Sequence, residues 1–335
     1  MLVNPPVTIV PQQQPPPQQQ TLGEGLNPNS SSGHLQSTGT LANLQDQLLA
    51  ISLLEQIDIW NWEVFDFQDA TGRPLFALGH YLFTKSELIR EFHLPNDRLI
   101  NFLSRIEQGY HADVPYHNST HATDVLHGAN WLLTQCADKF EPTSLELMAL
   151  YVAAIIHDFE YPGLNNNYLI ATANSKAILY NDRSVLENHH AAAGFDVLLQ
   201  PECNFISHLP KDDYTELRQI VIDLVLATDL QHHHFSVMSM FKNKVIVTGT
   251  FDPNTSDEDR LLLFKMCIKC GDVSNPTKKW SIYEHWTKRI LTEFFRQGDN
   301  ELLNGLPISP YYDRENIFVP GSQLGFIDFI CVSVG

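Results

Sequence analysis

Four short segments of this sequence place histidines and carboxylates at the ends of apolar runs. They are "PYHNSTHATDVLH" at 115–127, "HDFEYPG" at 157–163, "NDRSVLENHH" at 181–190 and "CGDVSNPTK" at 270–278. Imidazole nitrogens suit Zn²⁺ or Mn²⁺, and carboxylate oxygens with water suit Mg²⁺. Two such ions close together can activate water and stabilise displacement at phosphorus. Each segment alone is typical of a polar helix end, but the four together indicate a metal site of this kind.

The spacing within these segments indicates how ligands would reach an ion. His117 and His121 are four residues apart, so on a helix they lie one turn above each other. His157 and Asp158 directly follow a long apolar run, and both can reach one ion if it sits at the helix end. Asp272 also follows an apolar run. Three separate apolar helices therefore deliver histidine or aspartate near their ends.

Helical periodicity dominates the chain from about residue 50, and strand-like alternation is rare. Apolar residues recur at helical spacing in 99–110, 214–230, 260–273 and 282–298. Gly109 and Gly298 stand where helix C-caps are expected. Because no βαβ alternation and no internal repeat is visible, we predict an all-α globule of many short-to-medium helices. A short hairpin around 244–251 is a weaker expectation.

The first part of the chain differs in composition from the rest. "PQQQPPPQQQ" at 11–20 and "NPNSSSG" at 27–33 offer too little apolar surface to offset chain entropy. We therefore predict a disordered Pro/Gln-rich segment at 1–48 and one folded domain at 49–335. The tract "QHHHF" at 231–235 lies beyond a predicted helix, and we expect it to be exposed and not to form a site.

Charge and cysteine content limit the partners and the compartment. The formal net charge of −18 argues against nucleic acid and acidic membranes as partners, since phosphates require clustered Lys and Arg. Five scattered cysteines form no recognisable disulfide framework, which favours a reducing compartment. Neither the basic start of a secretory signal nor an apolar run near the ~20 residues of a membrane span is present. We therefore predict a cytoplasmic protein without membrane insertion.

The motifs, in their order, resemble the catalytic domain of the class I 3′,5′-cyclic nucleotide phosphodiesterases. The matching stretches are "VPYHNSTHATDV", "HDFEYPGLNNN", "ILYNDRSVLENHH", "LATDL", "CGDVSNPTK", "EFFRQGD", "GLPISP" and "SQLGFIDF". Some of them are similar to the calmodulin-regulated type 1 group, whereas "LELMALYVAA" and "NHHAAA" are similar to the cGMP-inhibited type 3 group. The resemblance covers roughly residues 57–330 and implies a compact multi-helix, HD-type phosphodiesterase domain within 49–335.

This resemblance implies two divalent metal ions, zinc at the first site and Mg²⁺ or Mn²⁺ at the second. His121, His157, Asp158 and Asp272 would hold the first ion, and Asp158 would also bridge to the second. The other ligands of the second ion would be mostly waters. A hydroxide shared by the two ions would attack phosphorus.

The resemblance also implies the groups that move protons and hold water. His117 would protonate the departing 3′ oxygen, with Glu293 orienting its ring. An alkoxide is a poor leaving group near neutral pH, and a positioned imidazolium removes that obstacle. Asn166 and Glu187 would hold metal-bound waters, and Tyr161 stands where the family has a histidine with the same task.

A purine pocket is implied by a further set of residues. They are Tyr116, Asn275, Ile290, Gln323 and Phe326. Gln323 would hydrogen-bond to the purine edge, while Phe326 and Ile290 would cover its two faces. One glutamine can serve adenine or guanine by rotating its amide, so the substrate is cAMP, cGMP or both. Asn275 gives a mild preference for cAMP through the resemblance alone.

Two departures from the family pattern bear on activity. Tyr161 offers a phenol in place of an imidazole, so we expect the second metal to bind more weakly without being lost. The family continues past "GFIDF" through further helices, so the resemblance implies a domain that lacks its last helices. We therefore expect an exposed apolar edge near 318–331 and reduced stability.

Three functions remain open on the sequence. The first is two-metal hydrolysis of cyclic nucleotides to nucleoside 5′-monophosphates, and the second is a catalytically impaired homologue that binds nucleotide or partner proteins. The third is a different metal phosphohydrolase on the same helical core. Gln323 and Phe326 argue against the third, and the intact His117 and ligand set favour the first. We expect a cyclic nucleotide as the substrate and a homodimer as the candidate assembly.

Overall fold

The computed structural model describes residues 36–230 and 234–331, and within these ranges every regular element is helical and no strand occurs. The helices are α1 Gln36–Glu55, α2 Val64–Thr71, α3 Pro74–Lys85, α4 Leu88–Glu91, α5 Asn96–Gly109, α6 Ser119–Gln135, α7 Ser144–Ile156, α8 Asn166–Ala171, α9 Ser175–Leu179, α10 Val185–Leu198, α11 Lys211–Ala227, α12 His234–Lys242, α13 Asp257–Asp272, α14 Trp280–Leu303 and α15 Val319–Phe326. Asn275–Thr277 form a 3₁₀-helix, and Asn243–Val247 and Ile327–Cys331 form π-helical turns. The prediction of an all-α fold is confirmed.

The chain divides into two compact units, residues 1–41 and 42–335. Of the first unit, the structure describes only 36–41, where α1 begins. Of the predicted disordered segment 1–48, the part from residue 36 onward is therefore helical, and the remainder lies outside the described residues. The boundary of the catalytic domain at residue 49 stays a prediction. The predicted exposure of "QHHHF" also falls outside the described side chains.

The helix α7 is the centre of the core and ends at the residues of interest. Thr143 caps its N-terminus, accepting a hydrogen bond from the backbone N–H of Glu146, while Glu146 accepts one from the backbone N–H of Thr143. From Met148 to Ile156 every side chain is buried, which explains why the run is apolar on all faces. His157 is the C-cap, so the polar side chains begin where the buried helix stops.

The helices α6 and α13 pack so closely that their backbones touch. A Cβ atom on Gly271 would lie 3.1 Å from the carbonyl oxygen of Val125 and 3.2 Å from the amide nitrogen of Ala129. A Cβ on Gly128 would lie 3.1 Å from the Cα of Gly271. Only glycine permits this approach, which brings the C-terminal end of α13 towards the N-terminal half of α6.

We expect Gly271→Ala to separate these two helices, because neither backbone atom facing the new methyl group can move aside. Overpacking of this kind costs about 1–3 kcal/mol of unfolding free energy. The substitution should also weaken divalent-metal binding, since the next residue is Asp272. Urea unfolding and metal retention after dialysis measure both effects. Gly325→Ala is the matched control, because its Cβ would meet only the hydroxyl of Tyr311 at 3.6 Å; equal metal loss in both variants would contradict the explanation.

Two local predictions are wrong. The segment around 244–251 forms no hairpin: Asn243–Val247 is a π-helical turn, and its valine and isoleucine side chains are exposed. The described residues offer no strand against which it could pair. Gly298 is no C-cap, since α14 continues to Leu303. A Cβ at this position would lie 2.1 Å from the carbonyl oxygen of Tyr312, so the glycine allows a close backbone approach instead. Gly109 is the last residue of α5, and the C-cap is Tyr110, so the helix ends one residue later than the C-cap prediction placed it.

The last described turns carry the apolar edge that the sequence predicts. The side chains of Phe318, Leu324 and Phe329 are exposed. Exposure at 318–331 is therefore confirmed, and the reduced stability stays a prediction. Among the described residues, no helix has both the length and the apolar character needed to cross a bilayer.

Candidate active site

Four predicted metal ligands converge from three helices. His121 lies in the first turns of α6, His157 and Asp158 follow α7, and Asp272 is the last residue of α13. One ligand atom from each lies within 4.8 Å of every other. Asn118 fixes the start of α6, because its side-chain oxygen accepts hydrogen bonds from the backbone N–H groups of the first turn. The structure therefore brings together the four residues that the sequence names, and their role as metal ligands stays a prediction.

The distances between the four ligand atoms suit one shared ion. Nε2 of His121 is 3.0 Å from Oδ1 of Asp272 and 3.5 Å from Oδ2 of Asp158. Nε2 of His157 is 3.2 Å from Oδ2 of Asp158 and 3.7 Å from Oδ1 of Asp272. Ligands about 2.1 Å from one ion lie roughly 3.0–3.4 Å from one another in octahedral or tetrahedral geometry. The cluster thus fits a divalent metal ion.

The hydrogen bonds of His157 leave one ring nitrogen for this ion. Its Nδ1–H donates to the carbonyl oxygen of Ala154 at 2.9 Å, which fixes the tautomer. Its Nε2 is buried and has no hydrogen-bond partner. A buried nitrogen lone pair facing two carboxylates is costly unless a cation lies between them. Burial opposes ionisation of Asp158, but a positive charge opposite it, which a proton on His157 or a metal ion supplies, outweighs burial and holds the pKa of this carboxyl well below its usual range.

His117 stands beside the cluster and is held by a buried carboxylate. Its Nδ1 lies 2.5 Å from Oε1 of Glu293, on α14. The other oxygen of Glu293 accepts the backbone N–H groups of Tyr116 and His117 at 3.1 and 3.2 Å. Burial disfavours the imidazolium, but the carboxylate of Glu293 outweighs it and raises the pKa of His117 to about 9. Glu293 contacts only Nδ1, so the protonated ring keeps a second N–H, at Nε2, from which it can donate a proton.

We expect Glu293→Gln to lower the pKa of His117, because a neutral amide no longer favours the imidazolium. Loss of an opposite charge at this range lowers a pKa by about 1–3. The protonated acid is present below its pKa and lost above it, so the alkaline limb of the pH–kcat/KM profile should move to lower pH. Glu107→Gln is the matched control, since this buried carboxylate also accepts two backbone N–H groups, at Leu75 and Phe76. An unmoved alkaline limb in Glu293→Gln would contradict the assignment.

Tyr161 packs directly on the general-acid candidate. Its ring centroid lies 4.3 Å from that of His117 and 6.2 Å from that of His190. Burial raises the pKa of the phenol well above its usual value, so it stays neutral. His190 places Nε2 3.8 Å from Oδ1 of Asp158, and burial lowers its pKa to about 4. The sequence indicated His190 only as the last residue of the segment 181–190, although it faces the predicted bridging carboxylate of Asp158.

Asn166 and Glu187, both predicted to hold metal-bound waters, are hydrogen-bonded to each other. Nδ2 of Asn166 donates to the carboxylate of Glu187 at 3.0 and 3.3 Å, and its Oδ1 accepts the backbone N–H of Leu186 at 2.9 Å. Burial, followed by the charge of Asp229, raises the pKa of Glu187 to about 7. Their role in holding metal-bound water stays a prediction.

Lys269 is a feature that the sequence did not reveal. It is fully buried one turn before Asp272, and its Nζ donates to the carbonyl oxygen of Ala227 at 2.5 Å. Burial lowers the pKa of this lysine to about 8. Its only sequence signal is a lysine inside the apolar run of α13, which is equally typical of an exposed position. Lys269 places a positive charge in the protein interior, near several carboxylates.

The predicted base-binding residues fall in two places. Tyr116 and Asn275 are buried beside the cluster, and the amide of Asn275 donates to the Tyr116 hydroxyl. Gln323 lies on α15, where its Oε1 accepts from the hydroxyl of Tyr283 at 2.7 Å and from that of Thr287 at 3.4 Å. The sequence did not indicate Tyr283, because a contact between residues forty positions apart leaves no local pattern.

Ile290 and Phe326 are both half-buried. Ile290 packs against the main core and lies two turns along α14 from Tyr283, on the same face. Phe326 ends α15, one turn after Gln323. This arrangement is compatible with the predicted pocket, but their contact with a base stays a prediction.

Comparison with known protein families assigns the fold. The profile described as "3'5'-cyclic nucleotide phosphodiesterase" matches residues 116–334 and so spans every residue of the cluster. The chain belongs to this family. The phosphodiesterase fold that the sequence motifs implied is thereby confirmed. A solved structure supports it: the phosphodiesterase domain of the RhoPDE fusion protein from the choanoflagellate Salpingoeca rosetta is 29% identical, with a TM-score of 0.77 over 83% of this chain and 86% of that one.

Two curated relatives are similar to this chain over most of its length. The "3',5'-cyclic-AMP phosphodiesterase 4C" of Mus musculus and that of Rattus norvegicus are each 39% identical over 290 residues, or 85% of this chain. The match covers 42% of the mouse protein and 54% of the rat protein, so the chain spans about half the length of these relatives. Both carry the type 4 name, which the local sequence features did not single out.

Proposed function

We propose that this protein hydrolyses 3′,5′-cyclic nucleotides to nucleoside 5′-monophosphates with the help of divalent metal ions. The observation that carries the proposal is the placement of one protonated imidazole beside one cation site. His117, raised in pKa by Glu293, stands next to His121 in the same segment, with ring centroids 5.6 Å apart. A phosphodiester bound to the cation would therefore have a proton donor at its leaving oxygen.

The cation sites follow from the ligand types. Two imidazoles and two carboxylates would suit zinc at the first site, and Asp158 would offer a carboxylate oxygen to Mg²⁺ or Mn²⁺ at a second site. When bound, the ions would lower the pKa of a water and neutralise charge that develops on the phosphate. Asn166 and Glu187 would hold waters near the second ion, and Glu187 can exchange a proton near neutral pH.

The side chains of this phosphodiesterase provide the acid and the orientation. The Nδ1–H of His117 is committed to Glu293, so only its Nε2–H can reach a substrate oxygen. The backbone N–H groups that the same carboxylate accepts hold the segment before α6 in place. Tyr161 covers one face of the imidazole. The departing 3′ oxygen therefore receives its proton from a ring with one fixed orientation.

Gln323 is the group that would read the base. With Oε1 held by Tyr283 and Thr287, its Nε2–H₂ can donate to a purine acceptor. Ile290 and Phe326 supply apolar surface for the two ring faces.

The mouse and rat relatives are named for cyclic AMP, which favours cAMP as the substrate. We expect kcat/KM for cAMP to exceed that for cGMP by ~10-fold or more, the range a few pocket contacts can supply.

Product analysis tests the proposed function. The purified full chain, supplied with Zn²⁺ and Mg²⁺, should convert cAMP to 5′-AMP, and a chelator should abolish the reaction. Formation of a 3′-monophosphate, or turnover that survives the chelator, would overturn the mechanism. The catalytically impaired alternative predicts nucleotide binding without turnover of cAMP or cGMP. Isothermal titration with cAMP alongside the assay separates these outcomes.

We expect Tyr161→His to strengthen binding of the second metal, because an imidazole holds a metal-bound water better than a neutral phenol. Groups of this kind typically contribute 10–100-fold in metal affinity, so half-activation should occur at roughly tenfold lower Mg²⁺. Tyr161→Phe is the matched control, since it keeps the ring on His117 and removes only the hydroxyl. Identical Mg²⁺ dependence in Tyr161→His and the parent would count against this explanation.

A cytoplasmic location is part of the proposal. All five cysteines are unpaired, as expected in a reducing compartment. Fractionation of cells that express the full chain tests it, and recovery in a secreted or organelle fraction would contradict it.

A further inference from the structure

A cavity of about 290 Å³ lies beside the end of α13. Most of its lining is apolar, since thiols behave as small apolar groups in a protein interior. These lining residues are Trp60, Trp131, Leu132, Val273, Cys270 and Cys331. The ring centroids of the two tryptophans lie 4.7 Å apart. A concave apolar space of this size is close to the lower limit of small-molecule sites, ~300 Å³.

The nitrogen and oxygen atoms of the lining side chains are paired, with one exception. The indole N–H of Trp60 donates to the carbonyl and hydroxyl oxygens of Thr277 at 3.3 and 3.2 Å, and that of Trp131 donates to the carbonyl oxygen of Asp58 at 3.0 Å. The hydroxyl of Thr277 donates to the carbonyl oxygen of Ser274 at 2.7 Å. The hydroxyl of Ser274, which also lines the cavity, is buried and has no hydrogen-bond partner in the described part of the chain.

Water is a poor occupant of such a space. A buried water needs about 2–4 polar partners, and an apolar cavity that offers fewer stays dry. The unpaired hydroxyl of Ser274 destabilises the fold as well, because it has lost its hydrogen bonds to water. A serine side chain can turn between staggered positions about χ1, so its O–H can reach a group that enters the cavity. A ligand with apolar rings and one hydrogen-bond acceptor therefore satisfies both the walls and the hydroxyl.

Charge and volume define this ligand further. Among the described lining residues there is no Asp, Glu, Lys or Arg. The ammonium of Lys278 lies 4.2 Å from the ring centroid of Trp60, but it is paired with Asp124 at 3.4 Å and donates to the carbonyl oxygen of Trp60 at 2.9 Å. The ligand should therefore be neutral. A cavity of ~150 Å³ holds one benzene molecule, so about 290 Å³ has room for two fused rings.

The cavity is separate from the metal cluster, although both involve the end of α13. Cys270 and Val273 are three residues apart and share one face there. Asp272 points about 100° around the helix axis from Val273, and its carboxylate belongs to the cluster. None of the four cluster residues lines the cavity. A ligand in the cavity would thus contact the neighbours of Asp272 and leave the active site open.

We propose that this cavity is a second small-molecule site, distinct from the active site, which binds a neutral ligand of two fused rings with one hydrogen-bond acceptor. The rings pack against Trp60, Trp131 and Leu132, and the acceptor receives the O–H of Ser274.

A pair of probes with the same shape tests the hydrogen bond. Quinoline and naphthalene both have two fused rings, and only quinoline has an acceptor, its ring nitrogen. Equilibrium dialysis of the full chain at slightly alkaline pH, where quinoline is neutral, should show quinoline bound ~2–10-fold more tightly, as one hydrogen bond provides. Ser274→Ala should bind both probes equally. Ser322→Ala is the matched control: its hydroxyl is also buried but donates to the carbonyl oxygen of Val319 at 3.0 Å, so the preference should remain.

Filling the cavity tests its location. Leu132→Trp should abolish quinoline binding, whereas Leu147→Trp should not, because Leu147 also packs half-buried on the core but does not line the cavity. The helical circular dichroism signal shows that each variant is folded. Excess 5′-AMP should leave quinoline bound, and displacement by 5′-AMP would place the probe in the active site and overturn the proposal. Equal binding of the two probes to the parent would also overturn it, as would binding of neither, the result expected if another part of the chain fills the cavity.

Discussion

Replacement of Asp158 by asparagine is expected to remove the bound metal and, with it, hydrolysis of cyclic nucleotides. The substitution keeps the shape of the side chain and removes one negative charge from a site shared with His121 and His157. Two unit charges 4 Å apart contribute about 4 kcal/mol at an effective dielectric constant of 20. With a doubly charged ion the loss is larger, so affinity should fall at least ~10³-fold, at 1.4 kcal/mol for each tenfold.

Elemental analysis after dialysis measures this effect independently of turnover. The parent should retain at least one divalent ion per chain, and the variant should retain none at the same free concentration. Asp259→Asn is the matched control: Asp259 is a more deeply buried carboxylate, but it binds Lys244 and the backbone N–H of Asp252 instead of the cluster. This variant should keep its metal. Full metal retention in Asp158→Asn would exclude the assigned cluster.

The metal cluster could be predicted because its signals are local. The helix α7 is apolar on all faces because it is buried. The apolar run stops at His157 and Asp158, so the sequence alone shows where this buried helix ends. The four-residue spacing keeps His117 close to His121, with ring centroids 5.6 Å apart, although His117 lies before the N-cap Asn118 and not on α6 as the spacing had suggested. The order of the motifs then identified the fold. These signals can be read from the sequence without knowledge of any contact between helices.

The remaining features depend on contacts between distant parts of the chain. Tyr283 orients Gln323, and Lys269 is buried, only because separate helices meet there. In the sequence Gly271 looks like an ordinary helix residue. Its role is visible only in the structure, where α13 packs against α6. The hairpin predicted around 244–251 was wrong because it also depended on a distant contact. Valine and isoleucine favour a strand only where another strand is available to pair. The described residues offer no such partner, so the local strand preference was overridden there.

His117→Asn should lower kcat by about 10²–10⁴-fold, the contribution of a positioned general acid. Asparagine can still donate to Glu293 from a position close to that of Nδ1, so the carboxylate keeps a partner. It carries no proton for the departing 3′ oxygen. Metal content should not change, because His117 lies outside the ligand set. His208→Asn is the matched control: this exposed histidine binds only the carbonyl oxygen of Phe92 among the described residues, and turnover should stay at the parent level.

A change of leaving group separates proton donation from a structural effect. An activated aryl phosphodiester expels a phenolate that needs no proton, so general-acid catalysis contributes little to its hydrolysis. His117→Asn should therefore be severely impaired towards cAMP and nearly normal towards the aryl ester. A loss of structure or of metal would lower both rates together. Equal impairment on the two substrates would show that His117 acts by holding the site in shape. In that case Glu293→Gln should not move the alkaline limb of the pH–kcat/KM profile for cAMP.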